Sequence, residues 1–355
     1  MRLLSLSVSF IITYAPSVLV NKHPRVVFSM DSKTLLNTVF SKAAKAGSSA
    51  KGSSKVERSK RHVHADAVRI ASVFRELKAK FKQARARLDF EPSKFQSELI
   101  DAEMHGRYAL VEREKRKIDA STRILDKLFG EHDVRVKHAR DITESSRLLR
   151  AFYGRVSSLV KKINFALIDD FERARQRLPR LRGDCKTIIV CGFPNVGKSL
   201  LLYKVTGHKV KVAEYPFTTQ ELLIGYLHDG NRDLQLIDTP GLLDRPLEKK
   251  NEIEKKAVLA LRFLSRDFLF VLDPSETCGF SVEQQKSLLE NLKREFNPER
   301  VLVVATKKDL VGEIQEYLGL REFESDAFVD LHDDKQVAEL KKLVISSFNA
   351  PGKEH

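Results

Sequence analysis

The sequence predicts an α/β fold with a mainly parallel sheet, preceded by an all-α helical bundle. Three observations predict it. In the first half, apolar residues recur at steps of three and four. From Thr187 onward, short β-branched runs alternate with helix-like segments, the pattern of a sheet covered on both faces. Where the two textures meet, GFPNVGKS (192–199) stands between a strand-like run and a helix-like run.

The elements follow in order. Residues 1–29, from MRLLSLSVSF onward, carry an arginine and then a mostly apolar stretch. They read as a non-native or disordered extension, because an amphipathic helix opens at Met30 with MDSKTLLNTVF. The other readings are an export signal or a weakly ordered tail. GSSAKGSSKVERSKR (47–61) reads as a flexible basic loop. Ile70, Val73, Phe74, Leu77, Phe81, Ala84 and Leu88 then mark one helix face, and Arg75, Lys78, Lys82 and Arg85 form a basic stripe beside it. Glu91-Pro92 ends that helix. A second helix is expected around 107–129. A third, long one is marked by Leu149, Phe152, Val156, Leu159, Ile163 and Leu167 and stops near Pro179. Such striped helices pack as an antiparallel bundle, here assigned to 30–182. TIIV (187–190), LQLID (234–238), FLFVLD (268–273) and VLVVAT (301–306) are the strands of a second domain, 183–349, with helix-like segments at 248–265 and 281–295. Residues 350–355 form a tail.

The 355 residues suffice for two cores. The net charge is +15, and it is uneven: residues 1–190 carry +19 and residues 191–355 carry −4. A soluble surface does not need such asymmetry; a polyanionic partner, nucleic acid above all, accounts for it. The three cysteines, Cys185, Cys191 and Cys278, match no zinc spacing and read as reduced thiols of a cytoplasmic protein.

GFPNVGKS fits G-x-x-x-x-G-K-[ST]. Gly192 and Gly197 let backbone N–H groups converge on a β-phosphate, with Pro194, Asn195 and Val196 between them. Lys198 meets the β/γ oxygens, the Ser199 hydroxyl ligates Mg²⁺, and Leu200 continues the helix whose positive end faces the phosphates. DTPG (238–241) follows a strand 39 residues after Ser199. Asp238 would hold the Mg²⁺ through water, and the Gly241 N–H would sense a γ-phosphate. In YPFTT (215–219), Thr219 is the candidate Mg²⁺ and γ-phosphate ligand, with Thr218 the alternative. TKKD (306–309) selects the base: the Asp309 carboxylate accepts from N1–H and the 2-amino group of guanine, which adenine lacks. The Lys307 stem would lie over the base. Thr306 stands where asparagine is usual and can still bond once. Asp330-Leu331-His332 takes the place of the usual Ser-Ala-Lys, leaving a backbone N–H for the 6-oxo group.

On these residues the chain resembles an Obg-related GTPase of the TRAFAC class, and more narrowly the nucleolar GTP-binding protein 1 family in a compact prokaryotic-type form. IDTPGLLDRPLEKKNEIEKKA and DPSETCGFSVEQQ, with GFPNVGKS and YPFTT, carry the resemblance over about 182–349. It implies a P-loop GTPase domain, GTP or GDP as ligand, and assistance to large ribosomal subunit assembly through ribosomal RNA. A monomer with no membrane association is expected.

Hydrolysis poses a separate question. Leu242 and Leu243 stand where many GTPases place a water-orienting glutamine. The resemblance implies a substitute: in related GTPases an asparagine at the position of Asn195 helps to hold K⁺ beside the phosphates. The catalytic set is then Asn195, Lys198 and Thr219, with slow hydrolysis stimulated by K⁺ or the ribosomal particle. The alternatives are that Asn195 only caps the loop, that the protein is a docking module without efficient hydrolysis, or that it is an Obg- or DRG-like translation factor.

Overall fold

The computed structural model describes residues 31–52, 60–207, 210–215, 221–230, 232–243, 250–311 and 325–349. The first half is helical: α1 (Ser32–Lys51), α2 (Arg61–Arg87), α3 (Lys94–Glu103), α4 (Leu110–Lys137), α5 (Ile142–Lys161) and α6 (Phe165–Gln176). The 3.6-residue stripes make these helices and also join them. Ile70, Val73, Leu77 and Phe81 of α2, with Leu88 at its C-cap, are fully buried against Ile118 and Leu125 of α4 and Phe152 and Val156 of α5.

Three expectations need correction. The stretch from Gly47 to Lys51 belongs to α1 and is not a loop. A β-carbon on the buried Gly47 would lie 2.4 Å from the Arg69 side chain of α2, so the glycine serves close helix packing. Residues 53–59 of that expected loop lie outside the described residues. The long third helix is two helices, because the Asn164 side chain accepts from Leu167 N and starts α6 afresh. And α3 was not foreseen. It begins at a capping box of Ser93 and Gln96, directly after Pro92.

The basic stripe on α2 also has a structural use. Lys78 pairs with Asp126 of α4 at 2.6 Å, and Arg85 reaches Asp119 of α4 at 3.3 Å. Arg75 and Lys82 are exposed, with no ion pair among the described residues.

Among the described residues the second half holds a seven-stranded sheet in the order β2-β3-β4-β1-β5-β6-β7. Its strands are β1 (Lys186–Cys191), β2 (Val210–Glu214), β3 (Glu221–Asp229), β4 (Arg232–Asp238), β5 (Asp267–Leu272), β6 (Arg300–Ala305) and β7 (Ala327–Phe328). β4, β1, β5, β6 and β7 run parallel; β2 and β3 add antiparallel pairings at one edge. Helices α7 (Lys198–Thr206), α8 (Glu252–Ala260), α9 (Val282–Phe296), α10 (Lys308–Val311) and α11 (Asp334–Asn349) complete the domain. β5 is buried throughout, as a central parallel strand must be.

The two halves meet in one apolar cluster. Phe95 and Leu99 of α3 are 4% and 1% exposed and pack in the same apolar cluster as Ala257, Val258 and Leu261, at and just beyond α8. Leu99→Ala is expected to cost about 2–5 kcal/mol. Hydrogen exchange should localise the loss: faster amide exchange in α8, with α1 and α2 still protected.

Candidate nucleotide site

β1 ends at Cys191, and the chain then turns with positive φ at Gly192 (+137°), Asn195 (+63°) and Gly197 (+98°) before α7 begins. A β-carbon on Gly192 would lie 2.2 Å from the carbonyl oxygen of Val271 in β5, so only glycine fits. Asparagine tolerates the left-handed region better than most residues, which gives Asn195 a backbone reason to be there. Pro194 and Asn195 are exposed at the loop tip, Val196 is buried beneath it, and Leu200 is 37% exposed on the first turn of α7. The Lys198 ammonium folds back across the loop and donates to Gly192 O (3.0 Å) and Phe193 O (2.7 Å). The Ser199 hydroxyl donates to Asp238 Oδ2 at 2.7 Å. A neutral hydroxyl and a carboxylate side by side, close to a phosphate cradle, suit Mg²⁺, which takes few protein oxygens and keeps waters and phosphate oxygens. Among the described residues no cluster of three or more His, Cys, Asp or Glu offers another metal site.

The base-selecting segment is tied to this loop. Thr306 is buried, and its hydroxyl donates to Val196 O at 2.6 Å, with Leu272 O at 3.2 Å. The single bond expected of this threonine therefore goes to the phosphate loop. Asp309 is exposed on the first turn of α10, with no hydrogen bond among the described residues. Leu331 is buried beside Gly197, and its neighbours form a tight turn in which His332 N donates to Asp330 Oδ1 at 2.8 Å. The structure thus gathers Gly192, Pro194, Asn195, Val196, Gly197, Lys198, Ser199 and Leu200 with Asp238 and Thr306, and sets Lys307 and Asp309 at the end of β6. Thr218 and Thr219 lie outside the described residues.

Four features escaped the reading of the sequence. Tyr215, the first residue of YPFTT, is 2% exposed and donates its hydroxyl to Ala257 O of α8 at 2.6 Å. Lys250 is buried and donates to Gly241 O at 3.2 Å. Asp273, fully buried at the end of β5, accepts from Lys307 Nζ at 2.8 Å. Phe193 of the phosphate loop stacks on Phe280 with ring centroids 4.0 Å apart. Only the quoted DPSETCGF run signalled the last two, without saying what it was for. Burial alone would push the Asp273 carboxyl up, but bonds from Lys307, Ser275 and Thr277 hold it below the usual carboxylate range.

Leu242 and Leu243 turn inward, each 2% exposed, into the core beside α8. Neither reaches the site. Leu242 and Leu243 fill core space, so their loss is felt first in stability.

Known families match both halves. A family model described as the NOG1 N-terminal helical domain matches residues 24–183, and one described as a 50S ribosome-binding GTPase matches residues 187–307. The helical half thus matches the N-terminal domain of the nucleolar GTP-binding protein 1 family, and the second half matches a broader GTPase family. An uncharacterised protein of Methanocaldococcus jannaschii is 38% identical over 195 residues, 54% of this chain and 54% of that protein. The nucleolar GTP-binding protein 1 of Encephalitozoon cuniculi is 36% identical over 55% of this chain and 37% of its own length. That of Saccharomyces cerevisiae is 36% identical over 50% of this chain and 28% of its own length. The chain thus spans about half or less of the length of these relatives. A solved structure described as a putative nucleolar GTP-binding protein 1 from Plasmodium falciparum has 30% identity and a TM-score of 0.36, covering 48% of this chain and 92% of that one. Among the described residues no helix is long and apolar enough to cross a membrane.

Leu242→Ala is expected to destabilise the protein by about 2–5 kcal/mol, seen as a lower urea midpoint. Its GTP affinity, measured on the folded fraction, should stay within about threefold of the parent, because the side chain meets no ligand.

Proposed function

We propose that this chain is a Mg²⁺-dependent GTPase switch that assists assembly of the large ribosomal subunit, with its basic helical half touching ribosomal RNA. The observation that carries the guanine reading is the Thr306–Val196 bond of 2.6 Å, which couples the base-selecting TKKD to the phosphate loop and leaves Asp309 exposed to accept from a base. Gly192, Gly197 and the α7 amides cradle the phosphates. Lys198 turns from its loop carbonyls to the β/γ oxygens. Ser199 and Asp238 would hold a Mg²⁺, with Thr219 as the further candidate ligand, and the ion would neutralise phosphate charge. Asp309→Asn is expected to weaken GTP binding and raise relative affinity for xanthosine triphosphate, because the amide donates to the 2-oxo group. Unchanged base preference in a competition assay would end this reading of TKKD.

With Leu242 and Leu243 buried, no side chain at those positions orients water. Asn195 would instead help to hold a K⁺, which would supply positive charge beside the phosphates. The φ of +63° at Asn195 decides how to test this. Alanine would add left-handed strain of about 1–2 kcal/mol, whereas glycine keeps the backbone and removes only the amide. Phosphate release at fixed ionic strength is expected to be faster in K⁺ than in Na⁺ by about a hundredfold. Asn195→Gly should abolish the difference and retain GTP binding. Equal rates in both salts, with and without large subunits, would favour the docking module.

RNA binding by the full chain is expected to fall steeply with salt, as counterion release requires. The exposed Arg75 and Lys82 are the stripe members to reverse, since Lys78 and Arg85 hold α4. Arg75→Glu with Lys82→Glu should flatten the slope of log K against log salt by about two units. Sedimentation with large-subunit precursors in GTP but not in GDP is the cellular counterpart; sedimentation with whole ribosomes instead would point to a translation factor.

A further inference from the structure

DPSETCGF (273–280) plays no part in phosphate or base recognition as described above, yet it touches both. Asp273 is fully buried, and its carboxylate accepts from Ser275 N (3.0 Å), the Ser275 hydroxyl, Thr277 Oγ1 (3.0 Å), Cys278 N (2.8 Å) and Lys307 Nζ (2.8 Å). Lys307 Nζ also donates to Thr277 Oγ1 at 2.8 Å. The backbone of Asp273 is held at both ends by Gln285 of α9: Asp273 N donates to Gln285 Oε1 (2.8 Å) and Gln285 Nε2 to Asp273 O (2.9 Å). The same amide donates to Phe280 O at 3.0 Å, and the Phe280 ring stacks on Phe193 of the phosphate loop.

We propose that segment 273–280 is a brace that presets the nucleotide site, with Asp273 and Thr277 as positioning residues that hold the Lys307 side chain where its stem covers the base. Lysine has four rotatable stem bonds, and a free one loses rotamer entropy when it packs on a ligand. Fixing the ammonium beforehand removes that cost from binding, so the brace slows nucleotide release. It also stands in for structure missing elsewhere: Thr306 gives the phosphate loop one bond, and the segment around Leu331 lacks the usual Ser-Ala-Lys. The proposal rests on reading this site as one for a guanine nucleotide.

The test is dissociation of a fluorescent N-methylanthraniloyl-GDP from the full chain, chased with excess GDP. Asp273→Asn is expected to speed release about tenfold, the scale of one charge-assisted bond. Because Asp273 is buried, Thr277→Val supplies a variant at an exposed position; it should speed release about two- to fivefold without lowering the apo melting temperature, and Thr277→Ser should restore the parent rate. In a Lys307→Ala background, Asp273→Asn and Thr277→Val should each add less than about twofold, since the group they position is gone. Parent-like release from Thr277→Val, or effects that persist undiminished without Lys307, would overturn the brace while leaving guanine binding intact. A parent chain that binds no GDP analogue would overturn the guanine reading, and the brace with it.

Discussion

The nucleotide site depends on how close the phosphate loop runs to β5. At Gly192 the backbone passes so near the Val271 carbonyl that a single added carbon would sit 2.2 Å from that oxygen. The loop is therefore set against the most buried strand of the sheet, and its position is fixed by the core. From that seat it reaches everything else. Val196 O meets Thr306, Phe193 meets Phe280, and Ser199 meets Asp238. Interiors of this packing density leave little room for the loop to drift, so the distances between phosphate, metal and base groups are inherited from strand order.

Much of this was legible in the sequence because short-range chemistry forces residue types. A phosphate cradle needs glycine, lysine and a hydroxyl in fixed order, and a buried parallel strand needs a β-branched run. The parallel strands β1, β4, β5 and β6 were readable for that reason, whereas β2, β3 and β7 were not. Their residues mix polar and apolar types, as edge and near-edge strands do, and β7 is only two residues long. Tertiary bonds were harder still. Nothing in the local pattern distinguishes Asp273, bound to a lysine 34 positions away, from any other acid at a strand end. Likewise α3 has only ten residues, too short for a sustained stripe, and it is helical because of its capping box and its partner across the domain junction.

The charge of the helical half illustrates the limit of counting. Cations of the α2 stripe alternate between two uses. Lys78 and Arg85 lace α2 to α4, while Arg75 and Lys82 face solvent. Arg87 is spent within the fold as well, paired with Asp169 at 2.6 Å and Glu172 at 2.8 Å. A net charge of +19 over residues 1–190 measures attraction for a polyanion at long range, but only the unpaired members supply contacts.

The packing of α3 on α8 has a consequence for synthesis. Phe95 and Leu99 leave the ribosome long before the residues that cover them, Ala257 and Val258, which follow about 160 positions later. At 5–20 residues per second the interval is on the order of 10 s. The helical bundle can close around α2 within that time, because its contacts are local. It does so with an apolar strip still showing. Half of the interdomain seam is thus made early and waits for the other half, which makes the nascent chain, and any fragment cut between the domains, stickier than the finished protein.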